Sequence, residues 1–200
     1  MKFSPVAVTG LMAFLSAPAT AAPAPGSEPA PVDFYKASGM TEMKDGLYRL
    51  AYDADGAPRI HFTPPSAAAL AIRGANTTTN TNANSTAAAV AGGISLSERS
   101  EGCDNFRLDG QDTDAANADL QAACGDGYEG TVWSQSGDTV AFYCQYASAP
   151  RCRARESRNA NYWITKKCGR YWAGSYESQG RKYAYGYTDP KRHNFCGIWL

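Results

Sequence analysis

His193 is the one histidine after residue 100, and it sits in a basic run, Lys191-Arg192-His193-Asn194. An imidazole near a carboxylate and a guanidinium is the set that RNA hydrolysis calls for. Two titrating groups move the protons, and a cation steadies the phosphoryl charge. Glu156 or Glu177 would be the second titrating group and Arg192 the clamp. A solvated histidine in a basic loop accounts for the same residues without any chemistry. The other catalytic patterns fail on inspection. Trp133-Ser134-Gln135-Ser136-Gly137 lacks the first glycine of a nucleophile elbow. Asp109, Asp112, Asp114 and Asp119 lack the glycine and closing glutamate of a calcium loop, and helix capping explains Asp112 and Asp114. No metal or cofactor is expected, and His193 remains the sole catalytic candidate.

A binding surface has more support. Tyr183, Tyr185 and Tyr187 alternate along the chain, so an extended strand puts all three on one face. With Trp172, Arg170, Arg181 and Lys182 they would form a stacking and cationic surface. Such a surface suits an extracellular protein, a glycan or an anionic surface. If the same face packs on helices, the tyrosines are core instead. The chain carries 19 basic and 19 acidic residues, so its net charge favours neither a nucleic acid nor a membrane partner. The average conceals a split: residues 101–150 hold nine acids and one base, and residues 151–200 hold eleven bases and three acids. The two halves can neutralise one another within one domain, or the basic half can face an acidic target.

The elements that position these residues depend on the cysteines. All six, Cys103, Cys124, Cys144, Cys152, Cys168 and Cys196, fall in the last half. The chain opens with Lys2, an apolar run from Val6 to Leu15 and small residues through Ala19-Thr20-Ala21, which fits an export signal over 1–21. Export leads to an oxidising compartment, where an even cysteine count reads as a disulfide framework. No thiol is then left as a nucleophile. Six cysteines allow fifteen connectivities, and the sequence does not choose among them. A secreted, extracellular protein without a membrane span is the expectation.

Residues 22–99 read as a pro-region or spacer. It contains a hairpin at 46–62, with aromatic flanks around Asp53-Ala54-Asp55-Gly56. An isolated hairpin is marginal in water, so this one must dock or stay loose. An Ala/Thr/Asn-rich stretch at 64–99 reads as a disordered linker carrying glycosylation sequons at Asn76 and Asn84. Arg99 is a candidate maturation cut.

Residues 100–200 form the cysteine-rich domain and contain a repeated unit. A helix starting near Asp112 ends at Cys124-Gly125, and a second, starting near Ser157, ends at Cys168-Gly169. Each is followed by a hairpin, at 130–144 and 171–187, and a short strand near Asn105 precedes the first helix. This order predicts an α+β fold: a small disulfide-stapled antiparallel sheet with two helices packed on one face. Inward-facing helical cysteines would staple each helix to the sheet.

The blocks Asp112-Thr113-Asp114-Ala115-Ala116, Val140-Ala141-Phe142-Tyr143-Cys144 and Cys168-Gly169 with Tyr185-Gly186-Tyr187 are similar to the small cysteine-rich secreted proteins of filamentous fungi. The duplicated helix–hairpin unit also resembles the α/β sandwich of smut-virus killer toxins and of effectors that share it. The resemblance covers roughly the last hundred residues. It implies a secreted effector, toxin or host-surface protein without enzyme activity, and it transfers no site residues. The alternatives are a small ribonuclease-like hydrolase using His193 and a cell-wall glycan-binding module.

Overall fold

A computed structural model describes residues 31–75, 99–146, 149–178 and 180–199. The export signal, both sequons (Asn76 and Asn84) and the linker beyond residue 75 lie outside the described residues.

The elements in chain order are β1 (Val32–Asp33), α1 (Phe34–Ser38), β2 (Gly46–Tyr52), β3 (Pro58–Thr63), α2 (Ala67–Ala75), β4 (Arg99–Arg107) and α3 (Gly110–Cys124). They continue with β5 (Val132–Ser136), β6 (Thr139–Gln145), α4 (Ala154–Cys168), β7 (Trp172–Ser178), β8 (Tyr183–Thr188) and β9 (Ile198–Trp199). The fold is α+β, built on a seven-stranded antiparallel sheet in the order β3-β2-β5-β6-β8-β7-β4. The two predicted hairpins, β5–β6 and β7–β8, meet through β6 and β8, which gives the sheet a palindromic centre.

Local chemistry sets the helix limits. Asp109 caps α3, its carboxylate accepting from the N–H groups of Gln111 and Asp112 at 2.9 Å each. The helix therefore begins before the Asp112 start that acidic spacing suggested, and Asp112 lies in its first turn. α4 begins three residues ahead of Ser157, which is buried inside the helix. Both helices stop where expected: the N–H groups of Gly125 and Gly169 return to the carbonyls of Gln121 and Thr165 at 3.0 Å.

The hairpin at 46–63 docks. β2 pairs with β5 through Gly46↔Gln135 to Arg49↔Val132, so one sheet runs across both sides of residue 99. The linker expectation needs correction at its start. Ala67–Ala75 is helical, because Ala and Leu form helix well, and Ser66 Oγ accepts from the Ala69 N–H at 3.2 Å. α2 is tied to α3 by the Gln111 amide, which donates to the Ile72 carbonyl at 3.1 Å, and by the Ser66 N–H, which donates to Asp119 at 3.0 Å.

Both sheet faces are covered. α3 and α4 pack on one, over Val132, Tyr143, Tyr176, Tyr183, Tyr185 and Tyr187, with Leu120, Ala160 and Ile164 as their inward residues. The other face carries Tyr48, Trp133, Val140, Phe142 and Ala184 under Phe34, Phe195 and Ile198. On this side Phe142 lies so close to β8 that a Cβ on Gly186 would sit 2.4 Å from its ring, so only glycine fits there.

The disulfides are Cys103–Cys168, Cys124–Cys152 and Cys144–Cys196. The first staples the end of α4 to β4, as expected. The second departs from expectation: it ties the end of α3 to the segment leading into α4, where Cys152 bridges Tyr128 rather than joining the sheet. The third pins the C-terminal segment to β6. No helix among the described residues is long and apolar enough to cross a membrane.

Candidate functional site

The three tyrosines of β8 do share a face, but it is the helix-covered one. Tyr183, Tyr185 and Tyr187 are 2 %, 1 % and 2 % exposed. Tyr185 Oη accepts from the Arg153 N–H at 3.1 Å, and the Tyr187 hydroxyl lies 3.4 Å from Thr165 Oγ1. Burial raises the pKa of all three, with the hydrogen bond from the Arg153 backbone to Tyr185 and the one from Thr165 to Tyr187 opposing the shift. They are core residues and leave the expected binding surface. Alternation correctly groups them but does not say which face of the sheet meets the helices.

The remaining predicted residues stay outside but do not converge. Trp172 is 40 % exposed at the start of β7. Arg170, also exposed, stacks its guanidinium 4.7 Å over Tyr171 and donates to the Tyr171 hydroxyl at 2.8 Å. That hydroxyl donates in turn to Asp114 at 2.9 Å. Arg181 and Lys182 are exposed at the opposite end of the hairpin, a strand length or roughly 20 Å away.

A denser basic aromatic surface lies on α4. Arg155, Arg158, Tyr162 and Lys166 are all exposed and recur at helical spacing along one face, spanning about 16 Å. Lys166 Nζ lies 5.0 Å over the Trp163 ring, which meets Tyr162 edge-on at 5.3 Å. None of Arg155, Arg158 and Lys166 has a carboxylate partner among the described residues. The one acid on this helix, Glu156, turns inward toward Tyr143, Tyr183 and Tyr185, and its Oε2 is buried with no hydrogen-bond partner among the described residues. It therefore leaves the outer stripe uncompensated. The stripe was readable in the sequence as i, i+3, i+7 and i+11, once α4 was given its full length.

His193 lies elsewhere. It is exposed, and its Nδ1 is 3.6 Å from Asp104 Oδ1, whose other oxygen accepts from Thr188 Oγ1 at 3.2 Å. Glu156 is beneath α4, on the other face of the sheet, and does not pair with it. Glu177 shares a small recess of about 90 Å³ with His193. Arg192, expected as a clamp, is held by Asp189 at 3.2 Å and lies 5.3 Å over Phe106. No sequence motif links Asp104 on β4 to His193, so this pairing was invisible before the fold. Among the described residues no group of three or more His, Cys, Asp or Glu side chains is placed to hold a metal ion.

The acidic and basic halves meet in part. Lys191–Asp138 at 2.7 Å, Arg151–Glu129 at 3.3 Å and Lys167–Glu101 at 4.0 Å join them. Exposed pairs of this kind contribute about 0–1 kcal/mol each.

No known family, characterised protein or solved structure matches this chain.

Proposed function

We propose that the protein is a secreted, disulfide-stabilised effector or toxin-like binder that acts on an anionic extracellular or host target. The basic aromatic face of α4 makes the contact. One observation carries this reading: Arg155, Arg158 and Lys166 line up with Tyr162 on an exposed helix face, without a neutralising carboxylate among the described residues. Unpaired guanidinium groups recognise carboxylate, sulfate or phosphate groups with two parallel hydrogen bonds, and the rings supply contact area at low entropic cost. Three disulfides, and the lack of a helix long and apolar enough to cross a membrane among the described residues, are compatible with secretion.

The test compares two variants of equal charge change on immobilised polygalacturonate. Arg155→Glu/Arg158→Glu should elute at clearly lower salt than Arg181→Glu/Lys182→Glu. Equal elution of the two would refute the assignment to α4. A second reading, the ribonuclease-like hydrolase, is favoured by the Asp104 contact that would orient the His193 ring. It requires an RNA-cleaving activity that His193→Ala abolishes.

A further inference from the structure

A groove of about 840 Å³ lies between the loop after α1, the β5–β6 turn and the 190–194 loop, and no residue of α4 lines it. Its volume falls in the range of ordinary ligand sites. Its charges are mostly spoken for. Asp138 holds Lys191 at 2.7 Å, Asp189 holds Arg192, and Asp104 lies beside His193. Asp45 accepts from the Gly137 N–H at 2.7 Å and from Arg73. An anionic ligand would have to break one of these pairs to gain its own.

Other polar groups remain available. The side chain of Asn194 is exposed and has no partner among the described residues. Glu42 is exposed and unpaired among the described residues. Tyr35 adds a flat apolar ring, 40 % exposed and braced edge-on by Phe34 at 5.3 Å. Carboxamides both donate and accept, which is what a hydroxyl requires of its partner. A ring with an apolar face and a wet rim packs against the C–H face of a sugar while leaving the hydroxyls to the polar side chains.

We infer that this groove binds a neutral oligosaccharide, stacked on Tyr35, with hydroxyls bonded to Asn194 and Glu42. The site is independent of the α4 face in residues and in driving force, since stacking and hydrogen bonds to an uncharged sugar are little screened by salt.

The full secreted chain is titrated with chitotriose, laminaritriose and mannotriose by calorimetry and by NMR. At least one should bind with Kd of about 1 mM or tighter, with shifts at Tyr35 and Asn194. Tyr35→Ala should weaken it at least tenfold and Asn194→Ala several-fold, while Tyr35→Phe retains it. Arg155→Glu/Arg158→Glu and about 0.5 M salt should leave it unchanged, which separates this result from the fate of the α4 reading. The inference is overturned if none of the three binds at about 10 mM, if only an acidic sugar such as trigalacturonate binds, or if Tyr35→Ala melts normally and binds as well as the parent chain.

Discussion

Tyr48→Ala tests whether the N-terminal third belongs to the same cooperative unit as the cysteine-rich part. Tyr48 is fully buried on β2, directly opposite Trp133 on β5, and the two rings stack at 5.4 Å with 6° between their planes. Phe34 and Phe62 approach from the sides at 5.6 and 5.1 Å. The hydroxyl accepts from the Lys44 N–H at 2.7 Å and donates to the Lys44 carbonyl at 2.6 Å. Truncating a buried aromatic costs about 3–5 kcal/mol, and each lost hydrogen bond adds about 1 kcal/mol. A domain of this size loses roughly 2–4 °C per kcal/mol, so the melting midpoint should fall by roughly 10–25 °C. Tyr48→Phe removes only the hydroxyl and should cost about 1–2 kcal/mol. The readouts are near-ultraviolet circular dichroism on heating and amide exchange in β6 and β8, which lie on the other side of residue 99. If Tyr48→Ala leaves exchange in β6 and β8 at parental rates and shifts the midpoint by less than about 3 °C, the two parts are not one unit.

Further predictions concern the bridges and pH. Cys103→Ser/Cys168→Ser removes a crosslink between positions 65 residues apart and should cost about 4 kcal/mol on the chain-entropy account. Secreted yield and melting midpoint should both drop, and unchanged values would show that α4 does not depend on its staple. Stability should be flat from neutral pH to pH 10 and then fall. Burial, partly opposed by the Lys44 backbone bond and reinforced by Asp45, pushes Tyr48 from 10.0 up to about 12, and burial also raises Tyr183, Tyr185 and Tyr187. The folded state holds these protons more tightly than the unfolded chain. The contribution is whole below the unfolded value and is lost as pH climbs toward the folded one. Tyrosinate absorbance should therefore appear together with unfolding above pH 10, and an early, separate rise from these residues would contradict their burial.

Much of the fold was legible because short-range chemistry writes it. Cys124-Gly125 and Cys168-Gly169 announce helix ends, and alternating aromatics around Gly137 and Gly180 announce hairpins. α2 was lost to composition: Ala67–Ala75 shares its alanines with the Asn/Thr-rich stretch that follows, so a broad window averages a helix into a linker. The binding surface went astray for a different reason. Period-two spacing collects Tyr183, Tyr185 and Tyr187 on one side, but the choice of side depends on where α3 and α4 cross, which is tertiary information. The stripe of Arg155, Arg158, Tyr162 and Lys166 was within reach of periodicity, and it was obscured by starting α4 at Ser157. Contacts such as His193 with Asp104, 89 positions apart, leave no trace in local pattern.

β1 and β9 have a consequence for how the molecule is made. Val32 and Asp33 pair in parallel with Ile198 and Trp199, and the Val32 N–H donates to the Gly197 carbonyl at 2.8 Å. β1, synthesised before the sheet, thus waits for a partner 166 residues further along. The Cys144–Cys196 bridge must wait too. A nascent chain can build its central hairpins early, but β1 cannot pair until β9 has been made. Removing Ile198 and Trp199 should therefore release β1, so that β9 acts as a clasp that closes only after the sheet has been built.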